Sequence, residues 1–462
     1  MLDDMFDHLQ SLRDQPVWRC APTQTRAQFD APLPAAPTPI EEVHAQFLTD
    51  ILPFGSGNTH PGFMGWVQGG GTPVGMLAEM LAAGLNANLG GRDHMPILVE
   101  RQVVAWMRDI FRFPASAQGL FLTGASQANF VAVLLARSRA DSTRSADSTG
   151  STGELVAYSS KAVHGCIPRA MQMAGLGADN LRRIDVDAAG RIDIDALQDA
   201  IDRDQRSGLR PFLLIGTAGT VDTGAIDDLP ALASVAIAHG MHFHIDGALG
   251  ALGVLSEELA PRLNGIELCD SLAFDFHKWA QVPYDAGFLL TRDGSAQKKL
   301  FASEDAYLTR ATRGLAAGDL WPCDYGPDLS RGFRALKTWF TLKTYGLAAL
   351  GASMAANCRL AQGLADRIDA EPELERFAPV ALNIVCFGYR GARADLNARI
   401  VERLQEAGAV APSVTVLDGR RVIRAAIVNH RTTQADIDIL VESVLAVGRQ
   451  ARSNIETEIA YA

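Results

Sequence analysis

Between residues 119 and 345 short apolar runs alternate with longer stretches in which apolar positions recur every three or four residues. The runs predict strands at Gly119–Leu122, Leu155–Ser159, Phe212–Gly216, Met241–Ile245, Ser271–Phe274 and Gly287–Thr291. The periodic stretches between them predict helices. Strands separated by helices predict an α/β fold with a mostly parallel sheet, whose ligands sit at the carboxyl ends of the strands. Thr123, Thr217, Asp246 and the pair His277-Lys278 all fall at such ends.

The flanks read differently. Helical patterns cover roughly residues 3–13, 40–51, 73–87 and 96–111. The Pro-rich text from Pro16 to Pro39 has no core of its own and is expected to drape over another surface, such as a second subunit. Residues 140–153 are polar and low in complexity, which predicts a surface loop. Residues 300–330 predict a long loop of the kind that serves as a lid. Beyond it come a helix from Leu336, strands near Leu382–Phe387 and Val422–Ile427, and a last helix near Ala435–Val447. The expected division is an N-terminal segment (1–72), a large domain (73–336) and a small C-terminal α+β domain (337–462).

Composition narrows the class. The chain has 462 residues, is 48% hydrophobic, and carries a net charge of −11 without a basic block. That excludes nucleic acid and an anionic membrane as main partners. The six cysteines show no C-x-x-C spacing, so neither a metal nor a disulfide framework is expected. The acidic N-terminus and the lack of a long apolar stretch predict a cytoplasmic protein.

The chemistry concentrates around Lys278. A lone lysine is ordinarily a solvated charge, but this one ends an apolar run, Ser271–Phe276, between His277 and Trp279. Asp246 ends another run in His244-Ile245-Asp246-Gly247-Ala248. A lysine and an acid at neighbouring strand ends suit pyridoxal 5'-phosphate (PLP): the amine forms a Schiff base and the acid pairs with the protonated pyridine nitrogen. Thr123-Gly124-Ala125-Ser126 is a strand-to-helix turn of small residues, whose N–H groups and helix dipole suit the phosphate. His164 either stacks on the cofactor ring, opposite Ala248, or is a surface histidine. Thr217 suits the ring hydroxyl or a substrate carboxylate. Asp275 points into the same region, although its sign opposes direct phosphate contact. The glycines Gly69 to Gly71, after Phe63 and Trp66, form a loop that a ligand can approach closely.

Taken together, Glu100–Trp106, Thr123–Asn129, Ser159–His164, Thr217–Asp227, His244–Ala248, Asp270–Trp279 and Ser330–Trp339 resemble the group II PLP-dependent amino acid decarboxylases. The resemblance implies a fold type I PLP enzyme with a mostly parallel seven-stranded sheet, active as a homodimer with its active sites at the interface. It implies that Lys278 carries the cofactor, that Asp246 faces the pyridine nitrogen, and that His164 and Ala248 sandwich the ring. Ala125, Ser126 and His277 would hold the phosphate, with Thr217 and Asp275 close by. Tyr307, in the long loop, would return a proton to the substrate carbon. Phe63, Trp66 and Gly69 would line the substrate. The implied reaction converts an L-amino acid, with the aromatic ones among the candidates, to its amine and CO2. The alternatives are oxidative decarboxylation-deamination to an aldehyde, or transamination with Arg424 gripping the α-carboxylate. The chain departs from the family's pattern at Gln127, at Asp275 and in the glycine-rich wall after Trp66.

Overall fold

The computed structural model describes residues 1–142, 154–303, 309–391 and 395–460, with side chains up to 450. The chain divides into two compact units. One holds residues 71–356 and 379–382; the other holds 1–70, 357–378 and 383–462. A long helix, Arg334–Ala370, runs across the junction at 356/357.

The unit built on 71–356 contains a seven-stranded sheet. Its strands are β1 (Gln118–Leu122), β2 (Leu155–Ser160), β3 (Leu181–Ile184), β4 (Arg210–Thr217), β5 (His242–Asp246), β6 (Ser271–Asp275) and β7 (Gly287–Thr291). They lie in the order β1-β7-β6-β5-β4-β2-β3. Only β7 runs against its neighbours, so the carboxyl ends of the other six share one edge. Strands β5 and β6 are buried at every position, as covered faces on both sides require of continuous apolar runs. The short β3 was not among the predicted strands. Its sequence, Leu-Arg-Arg-Ile, has charged residues at its two middle positions and lies at the sheet edge.

Helix α1 (Ala125–Ser142) follows β1 and crosses the sheet. Its apolar residues face two ways. Ala128, Val131, Ala132 and Leu135 join a core with Leu120, Leu122 and Leu289. Val133, Ala136 and Ala140 join another with Leu155, Ile167 and Leu213. A helix buried on both sides has no single apolar stripe, and each Val or Leu so covered contributes roughly 1.5–3 kcal/mol. The helix continues through Ala140–Ser142, where a loop was expected; the rest of that expected loop lies outside the described residues.

A buried cation ties this unit together. Arg331 donates to Glu100 (2.6 and 3.2 Å), to the Leu89 carbonyl (2.8 Å) and to the Phe121 carbonyl at the end of β1 (2.9 Å). A buried charge is tolerated because its donors are satisfied in this way.

The other unit has a five-stranded sheet of Phe63–Met64, Ala411–Leu417, Arg420–Ala426, Ile384–Tyr389 and Leu374–Arg376, in that order. Helices Leu396–Ala407 and Gln434–Ala460 belong to it. The N-terminal segment joins it through Val17 N–H on the Gly408 carbonyl (2.7 Å) and the Arg13–Asp436 ion pair (3.0 Å). No helix among the described residues is long and apolar enough to cross a membrane.

Candidate active site

Register brings the candidate residues to one sheet edge. Thr217 at the end of β4 pairs with Asp246 at the end of β5, and Asp246 pairs with Ala273 of β6. Asp275 ends β6, and the chain then turns through His277 and Lys278. The β1–α1 turn, Thr123-Gly124, delivers Ala125 and Ser126 to the same edge.

Lys278 is the centre of the charge pattern. Its Nζ lies 2.8 Å from Asp275 Oδ2. Burial alone would lower its pKa; the charge and hydrogen bond of Asp275, with Asp246 behind, outweigh burial and raise it. Asp275 Oδ1 also accepts from the Ala125 N–H at 2.7 Å and lies 3.7 Å from His277 Nε2. The N–H assigned to a phosphate thus already faces an anion. Burial lowers the pKa of His277, which Asp275 opposes. The His277 ring lies against Tyr284 with centroids 4.2 Å apart and the planes tilted by 32°, and its Nδ1 accepts from the Ala286 N–H (3.0 Å).

Asp246 is 4% exposed. Burial raises its pKa, and Lys278 pulls it back down. Its Oδ2 accepts from Asn129 Nδ2 (3.0 Å) and its Oδ1 from the Ala248 N–H (3.1 Å). His164 Nδ1 accepts from the Cys166 N–H (3.2 Å), which fixes the ring at the start of helix α2 (Cys166–Met173). Cys166 Sγ lies 3.2 Å from Asn129 Nδ2. Burial pushes its thiol up to about 12, so it is no nucleophile at neutral pH. The Thr217 N–H is held by Asp227 Oδ2 at 2.8 Å, while Thr217 Oγ1 is buried and unpaired among the described residues.

The family model for the pyridoxal-dependent decarboxylase conserved domain matches residues 22–390. The chain belongs to the pyridoxal-dependent decarboxylase family. An aromatic-L-amino-acid decarboxylase of Bacillus atrophaeus is 29% identical, over 97% of this chain and 94% of its own length. A phenylacetaldehyde synthase of Arabidopsis thaliana is 26% identical, over 92% and 90%. Among solved structures, Oryza sativa TDC with PLP and tryptamine superposes with a TM-score of 0.90 at 22% identity, covering 97% of this chain and 96% of that one. The protein is a PLP-dependent amino acid decarboxylase, and its sheet is that of fold type I.

The residues fit the cofactor. A buried hydroxyl without a partner among the described residues (Thr217) and a half-buried primary amine (Lys278) offer a donor for a ring oxygen and a nucleophile for an aldehyde. Of the residues singled out in the sequence, Ala125, Ser126, His164, Thr217, Asp246, Ala248, Asp275, His277 and Lys278 all lie in the unit built on 71–356. Phe63, Trp66 and Gly69 lie in the other unit. There Phe63 is buried, Trp66 is exposed with its ring 6.0 Å from Phe63, and the Gly69 carbonyl accepts from Asn58 (2.9 Å). Tyr307 lies outside the described residues. Arg424 Nη1 donates to the Gly65 carbonyl (2.7 Å) and to Ser413 Oγ (3.2 Å). Three residues received no role from the sequence: Asn129, Asp227 and Tyr284. The motif offered one signal for Asn129, because four residues after Ala125 on a helix returns to the same face.

Proposed function

We propose that this decarboxylase converts an aromatic L-amino acid to the amine and CO2, with Lys278, Asp246, His164 and Tyr307 as its working residues. The observation that carries the reading is the half-buried Lys278 amine, held by Asp275 with Asp246 behind it at adjacent strand ends. Bound PLP supplies a sink for the electron pair left on Cα when CO2 departs. Lys278 anchors the cofactor through its amine. Asp246, as a carboxylate, keeps the ring nitrogen protonated. His164 and Ala248 would cover the two faces of the cofactor ring. Ala125, Ser126 and His277 take the phosphate, and Thr217 takes the ring oxygen. The Tyr307 hydroxyl returns the proton to Cα. The aromatic substrate class rests on the relatives' printed activities, and Phe63, Trp66 and Gly69 are its proposed contacts.

Arg424 bears on transamination. An arginine that grips the α-carboxylate would keep that group from leaving, whereas the Nη1 of Arg424 serves Gly65 and Ser413. The aldehyde outcome is favoured by one relative, the phenylacetaldehyde synthase. We assign the protein to the cytoplasm, in keeping with its free cysteines among the described residues. We also assign it a homodimer. Residues 22–42 are almost wholly exposed and include Phe29 (57%) and Leu33 (93%), apolar surface that a second copy would cover. Analytical ultracentrifugation tests this: a monomer at micromolar concentration rules the dimer out.

The deciding experiment is a product assay with PLP-loaded protein and a panel of L-amino acids. Amine and CO2 from aromatic members, lost in Lys278→Ala, are expected. Aldehyde with peroxide, or keto acid without CO2, overturns the assigned reaction. Tyr307→Phe is expected to move product from amine towards aldehyde; unchanged amine output removes Tyr307 from the proton-donor role.

A further inference from the structure

Three side chains of β5 share one face. His242, His244 and Asp246 alternate along the strand, so all three point to the same side of the sheet. Ser271 of β6 sits opposite His244 in the register. Asn129, one turn into α1, reaches the same line. The contacts run continuously. Asn129 Nδ2 is 3.0 Å from Asp246 Oδ2, and Asn129 Oδ1 is 2.7 Å from His244 Nε2. His244 Nδ1 is 2.9 Å from Ser271 Oγ, which is 2.8 Å from His242 Nε2. Asn129, His244 and Ser271 are fully buried, and His242 nearly so.

The direction of each bond follows from the end of the line. A carboxylate only accepts, so Asn129 turns its amide N–H to Asp246 and its carbonyl to His244. That carbonyl needs a proton on His244 Nε2. Burial pushes His244 down to about 3 and His242 down to about 4, so both rings are neutral and carry one proton each. With its proton on Nε2, His244 accepts at Nδ1 from the Ser271 hydroxyl, and Ser271 accepts from His242 Nε2–H. The Ser271 carbonyl, 3.1 Å from His244 Nδ1, would favour a second proton there, which burial opposes. The opposite tautomer would set the Nε2 lone pair against the Asn129 oxygen at 2.7 Å. Every donor therefore points towards Asp246. At the far end His242 Nδ1 lies 4.0 Å from Asp270, which Arg139 holds at 3.2 Å.

We propose that His242, Ser271, His244 and Asn129 form a one-way chain of hydrogen-bond donors. The chain holds Asp246 as a carboxylate and thereby sets the protonation of the cofactor's pyridine nitrogen. Bonds aligned in one direction polarise one another, and a low-dielectric interior strengthens each. Burial alone would drive Asp246 towards its neutral form, which could no longer stabilise a protonated ring. These four are positioning residues: only Asp246 faces the cofactor. The proposal rests on the reading of Asp246 given above.

The test uses PLP labelled with 15N in its ring, bound to the full-length protein. The 15N signal separates protonated from neutral pyridine, and binding to cofactor-free protein gives the affinity. Ser271→Ala cuts the chain in the middle. It is expected to move the signal towards neutral pyridine and to weaken PLP binding by roughly five- to tenfold, one lost hydrogen bond. Ser271→Thr keeps the hydroxyl and is expected to restore both. His242→Phe keeps ring volume, removes the first donor and is expected to move the signal by less; it serves if Ser271→Ala does not fold. Asp246→Asn separates the two levels of the argument. If it leaves the signal at the wild-type position, the reading of Asp246 fails. If Asp246→Asn moves the signal while Ser271→Ala and His242→Phe leave it in place, Asp246 stands and the chain of donors is overturned.

Discussion

Asp275 places a carboxylate where an anionic cofactor group is expected to bind. It accepts from the Ala125 N–H and pairs with Lys278 at 2.7 and 2.8 Å. A phosphate at the same N–H meets like charge. Asparagine keeps an oxygen for Ala125 and drops the charge. Asp275→Asn is therefore expected to bind PLP about tenfold more tightly, within the 1–3 kcal/mol typical of charge-linked contacts. The same change removes the main force raising the Lys278 pKa, which should fall. Fluorescence titration of cofactor-free protein checks the affinity; equal or weaker binding in the variant means the carboxylate does not compete with the phosphate. Asp227 is another buried carboxylate. It accepts from the Ile192 and Thr217 N–H groups at 2.7 and 2.8 Å, yet burial outweighs both and pushes its carboxyl from 3.8 up to about 6. A raised acid pKa means that the folded chain holds the proton more firmly than the unfolded chain. The stability this group contributes is present below 3.8 and is lost as pH rises through about 6, a loss of about 3 kcal/mol. Asp227→Asn cannot ionise. The wild-type melting temperature minus that of the variant, measured without cofactor, should fall between about pH 4 and about pH 7. A constant difference would mean that Asp227 is already charged throughout.

Among the elements, the β1–α1 turn and the start of β7 touch backbone to backbone. A Cβ on Gly287 would stand 2.2 Å from Gly124 Cα, with backbone on both sides and no flexible side chain to yield. Gly287→Ala must shift the turn that carries Ala125 and Ser126. It is expected to destabilise the fold by about 1–3 kcal/mol, as overpacking does, and to weaken PLP binding as well. Gly346 is the contrast. It breaks the long helix Arg334–Ala370 at φ 73° and ψ 163°, and a Cβ there meets open space. Gly346→Ala should destabilise by about 1–3 kcal/mol through backbone strain alone and leave PLP affinity unchanged. Parallel melting and titration experiments separate the two; if both variants lose affinity alike, the Gly124–Gly287 contact has no special link to the site. The sequence made the buried strands of this sheet legible because strands covered on both faces carry unbroken apolar runs. The pattern failed at β3, whose central Arg182 and Arg183 lie on an edge strand, and at short pieces such as Phe63–Met64 and Leu374–Arg376. Lys278 and Asp246 stood out as charges ending apolar runs. Asn129 did not, because its part depends on the register of β5 and β6 and on a helix crossing them.

For the molecule as a whole, two compact units make the response to cofactor local or global. All nine residues expected to touch PLP lie in the unit built on 71–356. A ligand that binds only the folded state stabilises it by about 2.7 kcal/mol at a hundredfold excess over its dissociation constant. If the units open independently, that gain belongs to one of them. Hydrogen exchange read by mass spectrometry resolves the question. PLP is expected to slow exchange in peptides covering 123–129, 217–227, 242–248 and 271–278, where the strand ends and the β1–α1 turn meet. Peptides covering 411–426 form the antiparallel pair Ala411–Leu417 and Arg420–Ala426 of the other unit and should exchange at an unchanged rate. Equal slowing in both sets would show the chain opening as one cooperative body. In that case substitutions in the strand pair at 411–426 should change cofactor affinity even though they lie outside the unit that binds it, because weakening either part would lower the population of the single folded state that PLP recognises.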